Sequence, residues 1–281
     1  MLPYQMVFAS YTGQDDTVCV PEGATHIGPA AFQRNRYLRD VVIPEGVVQI
    51  DDEAFDACVN LEHVSMPSTL KAIGARAFKG CWRLQHLDLP EGLEDIRDQA
   101  FLRCRGLEEL SIPESVTHLG REALRNCVSL QHLRLPESIR RVEEGLLRDC
   151  VSLRSVQLPE SLEAIEDDAF NTCTKLTDVE LPEGLGWLGR RAFRGCAELR
   201  CINIPLSLPS LEERVFLGCR SLRGLELPPT LDFVDPAAFD PLADPTLPPE
   251  PDNDAGAAEQ DAERQPEASG NVADAADAQN V

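Results

Sequence analysis

The chain has 281 residues, with 48 Asp and Glu against 26 Lys and Arg, a formal net charge of −22. A chain this acidic, with no basic stripe in the linear sequence, argues against nucleic acid and anionic membranes as partners. No stretch approaches the roughly 20 apolar residues needed to span a bilayer as a helix.

Residues 1–20 stand outside any pattern. Val7-Phe8 and Thr17-Val18-Cys19-Val20 are expected to form an opening strand that covers the end of a core. A secretory signal needs a basic start and an unbroken apolar run. Here the first cation is Arg34, and Gln5, Ser10, Thr12 and Gln14 interrupt the start, so a cytoplasmic location is expected.

From Pro21 the chain repeats. Prolines stand at 21, 44, 67, 90, 113, 136, 159, 182, 205 and 228, one every 23 residues. A fixed period of this length specifies a stacked-repeat solenoid, because one unit cannot bury its apolar face without neighbours. In the unit that starts at Pro90, Leu93, Ile96, Ala100, Phe101, Leu107, Leu110 and Ile112 are the inward positions, with Cys104 as an eighth. Leu110-Ser111-Ile112 alternates in and out as a strand does, and Pro113 falls just past its end, where a missing N–H is tolerated. Gln99-Ala100-Phe101-Leu102 fits one short helical turn. Ten long amphipathic helices are excluded because proline recurs too often. Pro205-Leu206-Ser207-Leu208-Pro209 reshapes one turn, and Gly224 weakens the last full strand.

The pattern L-P-E-G-L-x-x-I-x-x-x-A-F-x-x-C-x-x-L-x-x-L-x-L-P resembles the leucine-rich repeats of the BspA-like family over about residues 17–239. The resemblance implies an α/β repeat solenoid, a horseshoe with a parallel concave sheet and short helical turns on the convex side. It also implies protein binding or surface adhesion, which makes a cell-surface or secreted location the alternative to the cytoplasm. The expected organisation is a capping segment over 1–20, a solenoid over 21–243 and a disordered acidic tail over 244–281. In the tail, Ala, Asp, Glu, Gln and Pro dominate and cannot offset ordering entropy.

Eight of the ten cysteines (Cys58, Cys81, Cys104, Cys127, Cys150, Cys173, Cys196 and Cys219) share one repeat position. Translated copies of one position point the same way and do not converge for a disulfide. Their spacing also lacks the close pairs of a zinc site. They are expected to be reduced, buried fillers, with Asn35 in the same slot of the first repeat, while Cys19 and Cys201 face outward. Gly184-x-Gly186-x-x-Gly189 matches a dinucleotide fingerprint by letter only, since Gly184 is a turn glycine and Leu185 and Leu188 are core positions. Glu residues after the prolines form a column expected to cap turn N–H groups rather than to hold calcium.

Binding is expected on the outward positions of the strands, in two columns that include Asp40, His63, His86, Asp88, Glu109, His132, Arg134, Asp178 and Glu180. Carboxylates outnumber the single Arg134 there, so a protein partner with a basic or polar patch is expected, met by a monomer with no cofactor. The His63, His86 and His132 column gives a weaker metal-binding alternative, because histidines fixed on a flat sheet converge poorly. No enclosed pocket or strained loop assembles a catalytic set. The sequence therefore reads as a non-catalytic protein-interaction scaffold, with a cell-surface adhesin as the alternative.

Overall fold

The computed structural model describes residues 6–240. The expected tail, 244–281, lies outside the described residues. Each 23-residue unit forms one coil with one or two short strands, and most corresponding strands of successive coils pair in parallel. The Leu-x-Leu column contains β2 (Thr17–Cys19), β4 (Asp40–Val42) and β6 (His63–Ser65), then β10 (His132–Arg134), β12 (Ser155–Gln157), β14 (Asp178–Val179) and β16 (Cys201–Ile202). The second column follows the Pro-Glu-Gly turn. It contains β1 (Val7–Phe8), β3 (His26–Ile27), β5 (Gln49–Ile50), β7 (Ala72–Ile73), β8 (Asp95–Ile96) and β9 (His118–Leu119). It resumes as β11 (Arg141–Val142), β13 (Ala164–Ile165) and β15 (Trp187–Leu188), and ends with β17 (Ser210–Leu211) and β18 (Phe233–Val234). Within the repeats, register follows the period: Asp40 faces His63, and His132 faces Ser155. The N-terminal segment supplies one strand to each column, with Val7 opposite His26 and Thr17 opposite Asp40.

The expected helical turns are absent: the described residues contain no helix. In their place each coil makes overlapping turns with two residues at positive φ. One column runs Ala30, Glu53, Arg76, Gln99, Glu122, Gly145, Asp168, Arg191, Arg214, and another includes Arg34, Ala57, Gly80, Arg103, Asn126, Asp149, Thr172, Gly195, Gly218. Most are not glycine, so each such residue carries about 1–2 kcal/mol of backbone strain. The compensation is a ladder between coils. Glu53, Phe55 and Ala57 donate their N–H groups to Ala75, Ala77 and Lys79 at 2.7–2.8 Å, and Arg76, Phe78 and Gly80 repeat this toward the next coil. A helix would turn those N–H groups back along its own axis. The alternation of right- and left-handed residues aims them at the neighbouring coil instead.

Both strand columns are interrupted, whereas this turn ladder continues from Ala30 to Ala238. In the second column the gap between β15 and β17 has a direct cause. Pro209 occupies the place where Glu163 donates to Arg140 and Gly186 donates to Glu163, and it has no N–H to give. Gly224 has φ +64, and no strand forms around it.

Inside, Phe32, Phe55, Phe78 and Phe101 stack at 4.9–5.5 Å with rings within 8° of parallel. Phe170, Phe193, Phe216 and Phe239 form a second stack at 5.0–5.8 Å. Phe8 and Tyr11 lie against Phe32 at its outer end. Leu124 and Leu147 separate the stacks, and Leu146 fills the slot that is Ala in most other coils, so side-chain volume moves one position along the chain. The glycine column containing Gly189 is set by close approach, since a Cβ there would lie 2.5 Å from the Asp167 nitrogen. That space lets the Asp167 carboxylate accept the Arg190 N–H at 2.8 Å, as Asp98 accepts that of Arg121.

The cysteine column is buried and free of disulfides, and only Cys19 and Cys201 are exposed. The thiols do more than fill space. Each donates across one coil to the carbonyl of the Phe-column residue behind it: Cys58 to Phe32 at 3.0 Å, Cys104 to Phe78 at 3.1 Å and Cys219 to Phe193 at 3.1 Å. Asn35 copies the bond with its amide, donating to Gly13 O at 3.1 Å.

Two outcomes follow for stability. Phe193→Ala opens a cavity between stacked rings and is expected to cost about 3–5 kcal/mol in denaturant unfolding. The thiols set an alkaline limit. Burial pushes Cys58, Cys104, Cys150 and Cys219 from 9.0 up to about 12, and Cys81, Cys127, Cys173 and Cys196 well above 9.0. Below 9.0 both folded and unfolded chains keep neutral thiols, and stability is fully present. As pH rises from there toward 12 only the unfolded chain ionises, so each thiol removes up to about 1.4 kcal/mol per pH unit. Melting across this window should show a steep alkaline loss, roughly halved when Cys81, Cys104, Cys127 and Cys150 are replaced by Ala.

Candidate functional site

Strand alternation turns Val41, Val64, Leu133 and Val156 inward and turns the residues on either side of each toward the surface. Of the nine face residues expected to bind, Asp40 is half-buried and the other eight are exposed. The face is not uniform. Residues 86–88 and 109–111 form no strand, although the same coils pair normally on the second column through β7, β8 and β9. Between these coils the Leu-x-Leu side keeps Glu108 N–H to Gln85 O at 3.1 Å and Gln131 N–H to Glu108 O at 3.4 Å. The coils are thus closed on one side and parted on the other.

A groove of about 500 Å³ spans this stretch and the adjoining paired strands β10 and β12. It brings together His86, Asp88, Glu109, His132 and Arg134, with Leu87, Leu110 and Ile112 among its lining. His63 lies apart, in a groove of about 360 Å³ beside Trp82, Glu62 and Arg83. Glu180 shares a third groove of about 380 Å³ with Arg134, and Asp40 and Asp178 line none of the three. His132 Nδ1 and Ser155 Oγ are hydrogen-bonded at 2.8 Å. Among the described residues no three His, Cys, Asp or Glu side chains converge to hold a metal ion, and His63 and His86 open into different grooves.

Electrostatics divide the molecule by column. Arg134, the one cation on the face, is held by Glu114 at 2.6 Å. Asp40, Asp88, Glu109, Asp178, Glu180 and Glu226 make no ion pair within 4 Å. On the second-strand and turn side, by contrast, many cations are matched coil to coil: Arg76 with Glu53, Lys71 with Glu94, Arg140 with Glu163, Arg141 with Glu166. Arg191 reaches the buried Asp168 through both Nε and Nη2, at 3.0 and 2.9 Å. In the post-proline column, Glu45 accepts the Ser68 N–H at 2.9 Å and its hydroxyl at 3.0 Å, which lowers the Glu45 pKa. Glu114 accepts the Glu137 N–H at 3.0 Å. The column caps turns at these positions. Reading only the strand positions misses the loop that follows each buried cysteine, whose charge emerges when residues are tallied by their place in the repeat.

No helix among the described residues is long and apolar enough to cross a membrane. Among curated proteins, none matches the chain. Solved structures do. A leucine-rich repeat protein from Bacteroides ovatus is 28% identical with a TM-score of 0.65, covering 82% of this chain and 72% of its own. The T. pallidum leucine-rich repeat protein is also 28% identical, with a TM-score of 0.52 over 69% of this chain and 82% of its own. A leucine-rich cell surface protein from Faecalibacterium prausnitzii shares the fold at 24% identity and a TM-score of 0.57, over 82% and 68%. The model of the BspA type leucine-rich repeat region matches residues 25–154 and 141–243 in six copies. With coils, columns and matched residues in agreement, the chain belongs to the BspA type leucine-rich repeat family.

Proposed function

We propose that the chain is a protein-interaction scaffold whose Leu-x-Leu face meets a partner carrying a basic patch. The observation that carries this reading is the imbalance of pairing: the six face carboxylates are unpaired, and the only face cation is neutralised by Glu114. A surface of this kind raises encounter rates with a positively charged partner, and salt weakens the effect. The groove at the parted coils adds relief to an otherwise flat sheet, with apolar side chains beside Asp88 and Glu109. The family match supports a repeat scaffold and indicates no enzyme family. It also favours the second reading, a cell-surface adhesin, while the expectation of a cytoplasmic chain finds no support in it.

The test is charge reversal on the face. With Asp88, Glu109, Asp178 and Glu180 all changed to Lys, binding of an oligolysine peptide at low salt should fall by about tenfold or more, and the difference should shrink as salt rises. Folding should survive, because all four side chains are exposed. Unchanged binding, or an equal loss when Glu94, Glu144, Glu163 and Glu213 on the second-strand and turn side are changed to Lys instead, would contradict the assignment.

A further inference from the structure

Taken together, the loops between the buried cysteines and the strand positions that follow have a charge opposite to that of the chain. Counting the first, second and fourth residues after Asn35 and after each of the eight ladder cysteines gives nine Lys or Arg and three Asp or Glu. The whole chain carries almost two acidic residues for every basic one. This edge is therefore a basic track along an acidic solenoid. In the N-terminal coils it is partly neutralised or covered: Glu62 pairs with Arg83 at 3.0 Å, and Arg105 lies over the Trp82 ring at 5.8 Å. In the C-terminal coils it is open. Arg154, Lys175, Arg200, Arg220 and Arg223 have no carboxylate within 4 Å, unlike many cations of the turn side. Arg223 is held in place by the carbonyls of Leu222 and Arg220 at 2.8 and 3.2 Å, which use its donors without cancelling its charge.

The track also has a groove. About 270 Å³ opens between the second and fourth positions after the cysteine, lined by Ser129, Gln131, Ser152, Arg154 and Lys175, with Glu108 at its N-terminal end. Cationic and hydroxyl groups thus alternate between the second and fourth positions after the cysteine, one coil or about 4.8 Å per step, with Glu198 the one carboxylate at these positions after Glu108. Large exposed apolar side chains, which anchor protein partners, are missing from these positions after Trp82. Aromatic platforms, on which single-stranded nucleic acid stacks, are missing there too. The neighbouring Leu-x-Leu face, with its unpaired carboxylates, repels a broad polyanion such as a duplex. A thin linear polymer that carries one anion per unit and many hydroxyls fits the line. Four of the five cations are Arg, whose planar fork matches a carboxylate bidentately.

We infer that the post-cysteine edge of the C-terminal coils, centred on Arg154, Lys175 and Arg200, binds an acidic polysaccharide bearing ring carboxylates, a polyuronate. This surface is separate from the Leu-x-Leu face and stands or falls independently of it. The experiment uses the full chain and polygalacturonate, followed by calorimetry or anisotropy at low and moderate salt. Neutral dextran, dextran sulfate, polyglutamate and oligothymidylate serve as comparison probes. Polygalacturonate should bind, dextran should not, and affinity should fall with salt. Changing Arg154, Lys175, Arg200 and Arg223 to Gln should weaken binding about tenfold or more. Changing Lys71, Arg97, Arg121 and Arg140 to Gln on the opposite side should change it less than about twofold. Should the first variant melt abnormally, Lys175→Glu and Arg200→Glu singly replace it, each expected to weaken binding severalfold. Absence of polygalacturonate binding, equal loss from both sets of substitutions, or tighter binding of polyglutamate, oligothymidylate or dextran sulfate would overturn the inference.

Discussion

The structure depends on the hydrogen bonds that the turn segment of each coil makes to the next. Glu53, Phe55 and Ala57 and their translated equivalents donate to carbonyls one coil on, and among the described residues this is the one backbone ladder between coils that runs unbroken. It requires two residues per coil in the left-handed region, at positions such as Gln99 and Arg103 where the side chain gives no steric relief. Neighbouring coils supply the compensation, so a lone coil would carry the strain without the bonds. That is the physical reason such repeats gain stability only as an array. The Phe stack and the thiol-to-carbonyl bonds lie directly beneath this ladder and reinforce the same spacing.

With the spine on the turn side, the two strand columns are free to vary. The second column is interrupted where Pro209 withdraws a donor and resumes as β17 and β18, and the Leu-x-Leu column parts at 86–88 and 109–111 while its coils remain joined elsewhere. The parting leaves the core undisturbed, since Phe78 and Phe101 remain stacked beneath it at 5.5 Å. Charge follows the same division. Turn-side cations are largely used in coil-to-coil pairs, which leaves unpaired carboxylates on the face and unpaired cations on the edge after each cysteine. Exposed pairs of this kind add little to stability; their consequence here is to decide which surfaces keep a net field.

Much of this was legible from the residues. The 23-residue period gave the stacking, and the period-two alternation in Leu110-Ser111-Ile112 told inward from outward positions. Shared register separated the ladder cysteines from Cys19 and Cys201. The turn was not legible. Gln99-Ala100-Phe101-Leu102 has helix-compatible residues, and the positive φ at Gln99 and Arg103 is marked by glycine only in other coils, at Gly145 and at Gly80, Gly195 and Gly218. The parting of the sheet was equally hidden, because Leu87 and Leu110 have the same pattern as Leu133, which sits in a paired strand. The basic edge was visible in principle, but only after charges were sorted by repeat position instead of along the chain.

Amide hydrogen exchange tests the central claim most directly, because it reads each ladder bond separately. The turn amides of Glu53, Phe55, Ala57, Arg76, Phe78, Gln99, Phe101 and Arg103 are predicted to exchange slowly, in step with global unfolding. Those of residues 86–89 and 109–112 should exchange much faster than the amides in β4, β6, β10 and β12. Slow exchange across 86–89 and 109–112 together with rapid exchange at the turn amides would contradict the account, because the strands and not the turns would then hold the coils together.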